Sequence, residues 1–93
     1  MRQVLDVTLA ELRLPHTALI VGLPDARLGE RVTAVLVGEQ LAPAALDFIL
    51  GKLRERLDRY EVPKEIRLLA PDELPRLPSG KPNLRGLIER LSD

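Results

Sequence analysis

Lys81 is the residue of this sequence best placed to do chemistry. It lies in the stretch from Pro75 to Pro82, which holds three prolines, one glycine and one lysine. Gly80 before it tolerates backbone angles closed to other residues, and Pro82 after it restricts Lys81 itself to extended conformations. An ammonium presented with so few backbone options can clamp a developing negative charge, on a phosphoryl group or an acyl oxygen, with little reorganisation. Pro78-Ser79-Gly80-Lys81 is also ordinary turn composition, so the local sequence leaves a plain surface turn as the alternative.

Other candidates carry less. Gly80-Lys81 is not a phosphate-cradling P-loop, because Pro75 stands where the first glycine belongs and Pro82 where Ser or Thr belongs. His16 is the one histidine and cysteine is absent, so a catalytic triad or a thiolate zinc site lacks partners. It reads as an ordinary histidine at a loop-to-strand junction. Asp72 and Glu73 are adjacent carboxylates that could share acid/base work, but they read as solvated charges that set the turn before Leu74. No residue is assigned to a metal.

The elements that position Lys81 must come from one small domain of 93 residues, 45% of them hydrophobic. Fourteen basic residues balance fourteen acidic ones, and Phe48 and Tyr60 are the aromatics. That argues against a nucleic-acid binder and against a basic membrane-surface protein. No disulfide framework is possible without cysteine. No run is long enough for a membrane span, and the N-terminus lacks the apolar core of a signal peptide. The expectation is a soluble cytoplasmic protein.

Leu5, Leu9 and Leu12, with Val4 beside them, predict a helix over Met1 to Arg13, stopped by Pro15. "TALIVGL" and "RVTAVLVGE" read as strands joined by the turn "PDARLG", hence antiparallel neighbours. Both are apolar at nearly every position, which predicts cover on both faces. Leu46, Ile49, Leu50, Leu53 and Leu57 mark a second helix, with Pro43 suited to its first turn. "EIRLLA" reads as a short strand. Pro63 to Pro82 reads as mostly extended loop, and Asn83 as the cap of a last helix with Leu84, Leu87, Ile88 and Leu91 on one face. The predicted fold is α+β: a small three-stranded, at least partly antiparallel sheet with packed helices, in the order α-β-β-α-β-α.

Three segments, "ALIVGLPDARLGERVTAVLV", "LRERLDRYEVPKEI" and "DELPRLPSGK", occur in an order and spacing that resemble the C-terminal subdomain of the adenylate-forming superfamily. That group holds the acyl- and aryl-CoA synthetases, the adenylation domains of nonribosomal peptide synthetases, and the luciferases. The likeness runs from about Pro15 to Leu91. It implies a mobile lid that closes over a large N-terminal domain, where ATP with its Mg and a carboxylic acid bind. The lid's lysine matches Lys81, held in a loop that matches Pro78, Ser79, Gly80 and Pro82. The lid then rotates, withdraws the lysine and presents another face for attack by the thiol of CoA or of a carrier protein. "GKP" is most similar to acyl- and aryl-acid–CoA ligases. Arg54 matches a cation that some of these place near the CoA nucleotide phosphates, though a solvated helix arginine is the alternative. Gly22, Pro24, Asp25, Gly29 and Glu30 match a structural turn. Asn83 stands where many relatives have aspartate.

Residues 1–93 do not include the hinge or the phosphate-binding domain that the resemblance implies. Residues 1–93 are therefore expected to be a single C-terminal lid subdomain, a fragment of an acid–CoA ligase that is inactive alone. A stand-alone protein-interaction module reusing the lid fold, with Lys81 incidental, is the alternative.

Overall fold

The computed structural model describes residues 2–27 and 29–92. Its elements are α1 (Arg2–Glu11), β1 (Thr17–Asp25), β2 (Gly29–Val37), α2 (Pro43–Arg56), β3 (Glu65–Leu69), a 3-10 turn at Pro71–Glu73 and α3 (Leu84–Leu91). This is the predicted order, in an α+β domain. The sheet runs β1-β2-β3. β1 and β2 pair antiparallel from Thr17↔Val37 to Asp25↔Gly29. β3 joins the other edge of β2 in parallel, from Thr33↔Glu65 to Val37↔Leu69. Parallel neighbours need a crossover, and α2 supplies it.

Side chains alternate across a strand, so a run that is apolar throughout needs cover on both faces. Ala18, Ala34 and Leu36 pack against Leu5 and Leu9 of α1 and Ile49 and Leu53 of α2. Val21, Leu23, Val35, Val37 and Leu69 pack on the opposite side with Leu74 and with Leu87 of α3. Leu46 and Leu57 of the predicted α2 stripe sit at the margin of the first cluster. The helix itself closes one residue earlier, with Leu57 as its C-cap.

Helix α1 ends at Glu11, short of the predicted Arg13. Leu14 N–H donates to the Leu9 carbonyl and Arg13 N–H to the Ala10 carbonyl. Arg13 adopts φ 57°. This paired closure satisfies the last carbonyls through a left-handed residue, usually glycine, and it ends the helix before Pro15 acts. Thr8, fully buried, donates to the Val4 carbonyl and accepts from Arg56 of α2, which also pairs with Glu11.

In α3, Asn83 Oδ1 accepts from Gly86 N–H at 3.0 Å, as its capping role requires. Leu87 is buried and Ile88 and Leu91 pack beside it. Leu84 departs from the predicted face and is 45% exposed. It opens the helix next to the lysine loop, and the helix's buried contact begins one turn further on. No helix among the described residues is long and apolar enough to cross a membrane.

Candidate functional site

The lysine loop is a miniature hairpin. Gly80 N–H donates to the Leu77 carbonyl and Leu77 N–H to the Lys81 carbonyl, both at 2.8 Å. Arg76 and Pro82 form the antiparallel bridge below them, and Asn83 N–H closes the base on the Pro75 carbonyl at 2.9 Å. Three residues, Pro78, Ser79 and Gly80, make the tip. Such a loop needs a left-handed residue at its last position to match the twist of the two arms. Gly80 supplies it with φ 89°. The structure thus brings together Pro78, Ser79, Gly80, Lys81 and Pro82. Lys81 is exposed on the returning arm; Leu77, opposite it in the hairpin, and Leu84, which opens α3, are 44% and 45% exposed.

Two anchors hold this hairpin to the domain. Leu74, just before it, is buried in the α3-side cluster, and Asn83, just after it, caps α3. Glu73 links the turn to the helix: one carboxylate oxygen accepts from Ala70 N–H and the other from Arg90. That pairing fits the turn-setting role read for Glu73, while Asp72 is exposed beside it.

Arg54 is not part of this constellation. It lies in the last turn of α2, on the helix that covers the opposite face of the sheet, and it is exposed. It lines a groove of about 310 Å³ with Arg59, Val62, Pro63 and Lys64. Among the described residues, three cations and no carboxylate line this groove, which gives it the character of an anion site. Tyr60, with its ring 6.0 Å from the Arg59 guanidinium, stands exposed at an adjoining groove. Arg59 and Lys64 carried no periodic signal. They flank the Val62-Pro63 loop, and their approach to Arg54 appears only once α2 and β3 are folded together.

Behind that region, Arg31 ties the β1–β2 turn to β3. Its Nε donates to Glu65 Oε1 at 2.9 Å and its Nη1 to the Pro24 carbonyl at 3.0 Å. Thr33, fully buried, donates to the same Glu65 oxygen. Burial pushes the Glu65 carboxyl upward, but the hydrogen bonds from Arg31 and Thr33 and the charges of Arg31 and Arg67 outweigh it and hold the group below its ordinary value. Asp25 Oδ1 accepts from Arg27 N–H at 2.9 Å, the local bond expected of a turn aspartate. His16 is buried, with Nε2 donating to the Glu39 carbonyl at 2.7 Å. A Cβ at Gly38 would come within 2.5 Å of that imidazole, so His16 is a packed junction residue.

This geometry meets a matching family. The family model of the AMP-binding enzyme C-terminal domain matches residues 9–81, from α1 to the lysine itself. The chain belongs to the AMP-binding enzyme C-terminal domain family. Among curated relatives, the 3-oxocholest-4-en-26-oate–CoA ligase of Rhodococcus rhodochrous is 40% identical over 68 residues, which are 73% of this chain and 12% of that protein. The sulfoacetate–CoA ligase of Cupriavidus necator is 39% identical over 64 residues, 69% of this chain and again 12% of the relative. The chain therefore spans about one-eighth of the length of such relatives, which are acid–CoA ligases. Among solved structures, ATP-bound MatB from Rhodopseudomonas palustris superposes with a TM-score of 0.73 at 28% identity, over 99% of this chain and 18% of that one. An acyl-CoA synthetase (AMP-forming)/AMP-acid ligase II-like protein from Dyadobacter fermentans matches in fold, with a TM-score of 0.82 at 22% identity, over 97% and 25%.

Proposed function

We propose that this AMP-binding C-terminal domain is the mobile lid of an ATP-dependent carboxylic acid–CoA ligase, and that Lys81 is its adenylation catalyst. The observation that supports this reading is the hairpin. A solvent-facing ammonium stands on a loop whose backbone is held by three cross-loop hydrogen bonds and anchored at both ends. Such rigidity is wasted on a solvated surface lysine. It is useful for a group that must arrive at a fixed place when a lid shuts.

The chemistry follows from charge. A carboxylate oxygen attacks the α-phosphorus of ATP, a P–O bond forms, and pyrophosphate leaves. Two anions must approach, and negative charge gathers on the pentacoordinate phosphorus. Lys81 Nζ bridges both partners and offsets that charge in a site closed to water. In the second step the lid turns, the CoA sulfur attacks the acyl carbon, and AMP leaves. Lys81 has then withdrawn. The groove of Arg54, Arg59 and Lys64, on the other side of the sheet, receives the nucleotide phosphates of CoA. ATP is bound mainly by an N-terminal adenylation domain, the partner over which the lid closes. Mg accompanies the ATP phosphates and is assigned to that domain as well. The lid alone makes no adenylate.

Two variants of the assembled ligase test this division, with each half-reaction assayed separately. Lys81→Ala slows acyl-adenylate formation and spares thioester formation from supplied adenylate. Arg54→Ala raises the KM for CoA and leaves adenylation unchanged. An unchanged KM for CoA returns Arg54 to a plain solvated helix residue. Equal loss of both half-reactions in Lys81→Ala contradicts its assignment to adenylation.

A further inference from the structure

The arms of the hairpin that carries Lys81 are joined by two backbone bonds, one on each side of the Arg76–Pro82 pair. That pair exchanges no backbone bond of its own, so Pro82 stands where no N–H is needed. The tip depends on a glycine, the residue that resists peptide rotation least. A two-stranded hairpin this short is marginal by itself. One side chain repairs the tip: Arg76 Nη1 donates to the Gly80 carbonyl at 2.9 Å. The Gly80 carbonyl belongs to the same peptide plane as the Lys81 N–H. Fixing that oxygen fixes the plane from which the Lys81 Cα–Cβ bond departs. The bond is charge-assisted, because its donor is a guanidinium cation.

We propose that Arg76 is the positioning residue for Lys81: its guanidinium locks the Gly80–Lys81 peptide and thereby aims the ammonium at the reacting phosphate. This rests on the adenylation role proposed for Lys81. The bond is solvent-exposed, so it adds little to the stability of the fold. Its effect lies in aim, and misplacement by about 1 Å can cost on the order of 100-fold in rate. Arg76 thus acts through Lys81 without touching substrate.

The test is a double-mutant cycle in the assembled ligase, with adenylation and thioester formation measured separately. Arg76→Ala is expected to lower kcat for adenylation about tenfold, below the full cost of misplacement because the backbone hydrogen bonds remain. The KM for ATP, thioester formation and the melting temperature stay unchanged. Arg76→Lys, which keeps a donor and a charge, recovers part of the loss. In a Lys81→Ala background Arg76→Ala has no further effect, because nothing is left to aim. If the two losses multiply instead, Arg76 touches the reactants directly and the proposal is wrong. It is equally wrong if Arg76→Ala has no effect, or slows both half-reactions alike. The single variant Lys81→Ala separates the layers: normal adenylation in that variant removes the lysine's role and this inference together, whereas slowed adenylation with a silent Arg76→Ala removes this inference alone.

Discussion

Replacing Gly80 with alanine separates geometry from charge at the lysine loop. A Cβ at Gly80 meets nothing within 4 Å, so the substitution brings no clash. Its cost is conformational: φ is 89° there, and a left-handed backbone costs a residue with a Cβ about 1–2 kcal/mol. The exposed tip can relax without disturbing either core cluster, so the strain moves the loop and leaves the fold intact. Gly80→Ala is expected to slow adenylation by about tenfold or more, with Tm lowered by no more than a few degrees. Normal adenylation would mean that loop geometry is unimportant. The tight turn at Pro78, Ser79 and Gly80 was legible in the sequence, because proline restricts the backbone and glycine frees it in known ways. Arg76 was not legible. Its role depends on a side chain reaching across the hairpin to a carbonyl, and no periodicity or local propensity encodes that contact. Arg59 and Lys64 escaped for a related reason, since their groove forms between two elements.

The helices and strands were largely readable because binary pattern and packing agree. The α2 stripe placed Ile49 and Leu53 in the core, and the unbroken apolar runs of β1 and β2 correctly implied a sheet covered on both faces. The exact end of α1 was not readable, because its stop is the paired hydrogen-bond closure at Arg13, and arginine is not the residue that normally announces one. This gives a stability prediction. Arg13→Gly relieves a left-handed arginine and is expected to stabilise the domain by about 1 kcal/mol, raising Tm by about 4–8 °C. An unchanged or lower Tm would show that the arginine side chain contributes more than its backbone costs. The parallel β2–β3 edge gives another. Glu65 has a lowered carboxyl pKa when folded, so its link to Arg31 and Thr33 stabilises the domain fully above the ordinary glutamate value of 4.5. That contribution is lost as pH falls below that value and through the lower folded one. Melting curves across that window should show Glu65→Gln losing Tm less steeply than the parent. Parallel slopes for the two would contradict the coupling.

At the scale of the molecule, one sheet separates two kinds of surface. The α3 side carries Lys81 on its braced hairpin, and α2, on the other, contributes Arg54 to a cationic groove. The proposed lid, serving two successive reactions, would need two such surfaces, so that turning the domain exchanges one for the other. The order α-β-β-α-β-α and the family were both readable in the chain, because the turn, the α2 end and the lysine loop each carry unusual glycine and proline positions. The separation of the two surfaces was not, because it depends on which face of the sheet each helix covers. The most direct test of the account is a rapid-quench measurement of acyl-adenylate formation by the Lys81→Ala ligase, beside thioester formation from supplied adenylate and a melting curve on the same sample. The account predicts a loss of about 10²–10³-fold in adenylation, the size seen when one preorganised transition-state donor is removed, with thioester formation and Tm unchanged. Equal losses in both half-reactions, or adenylation at the parent's rate, would contradict it.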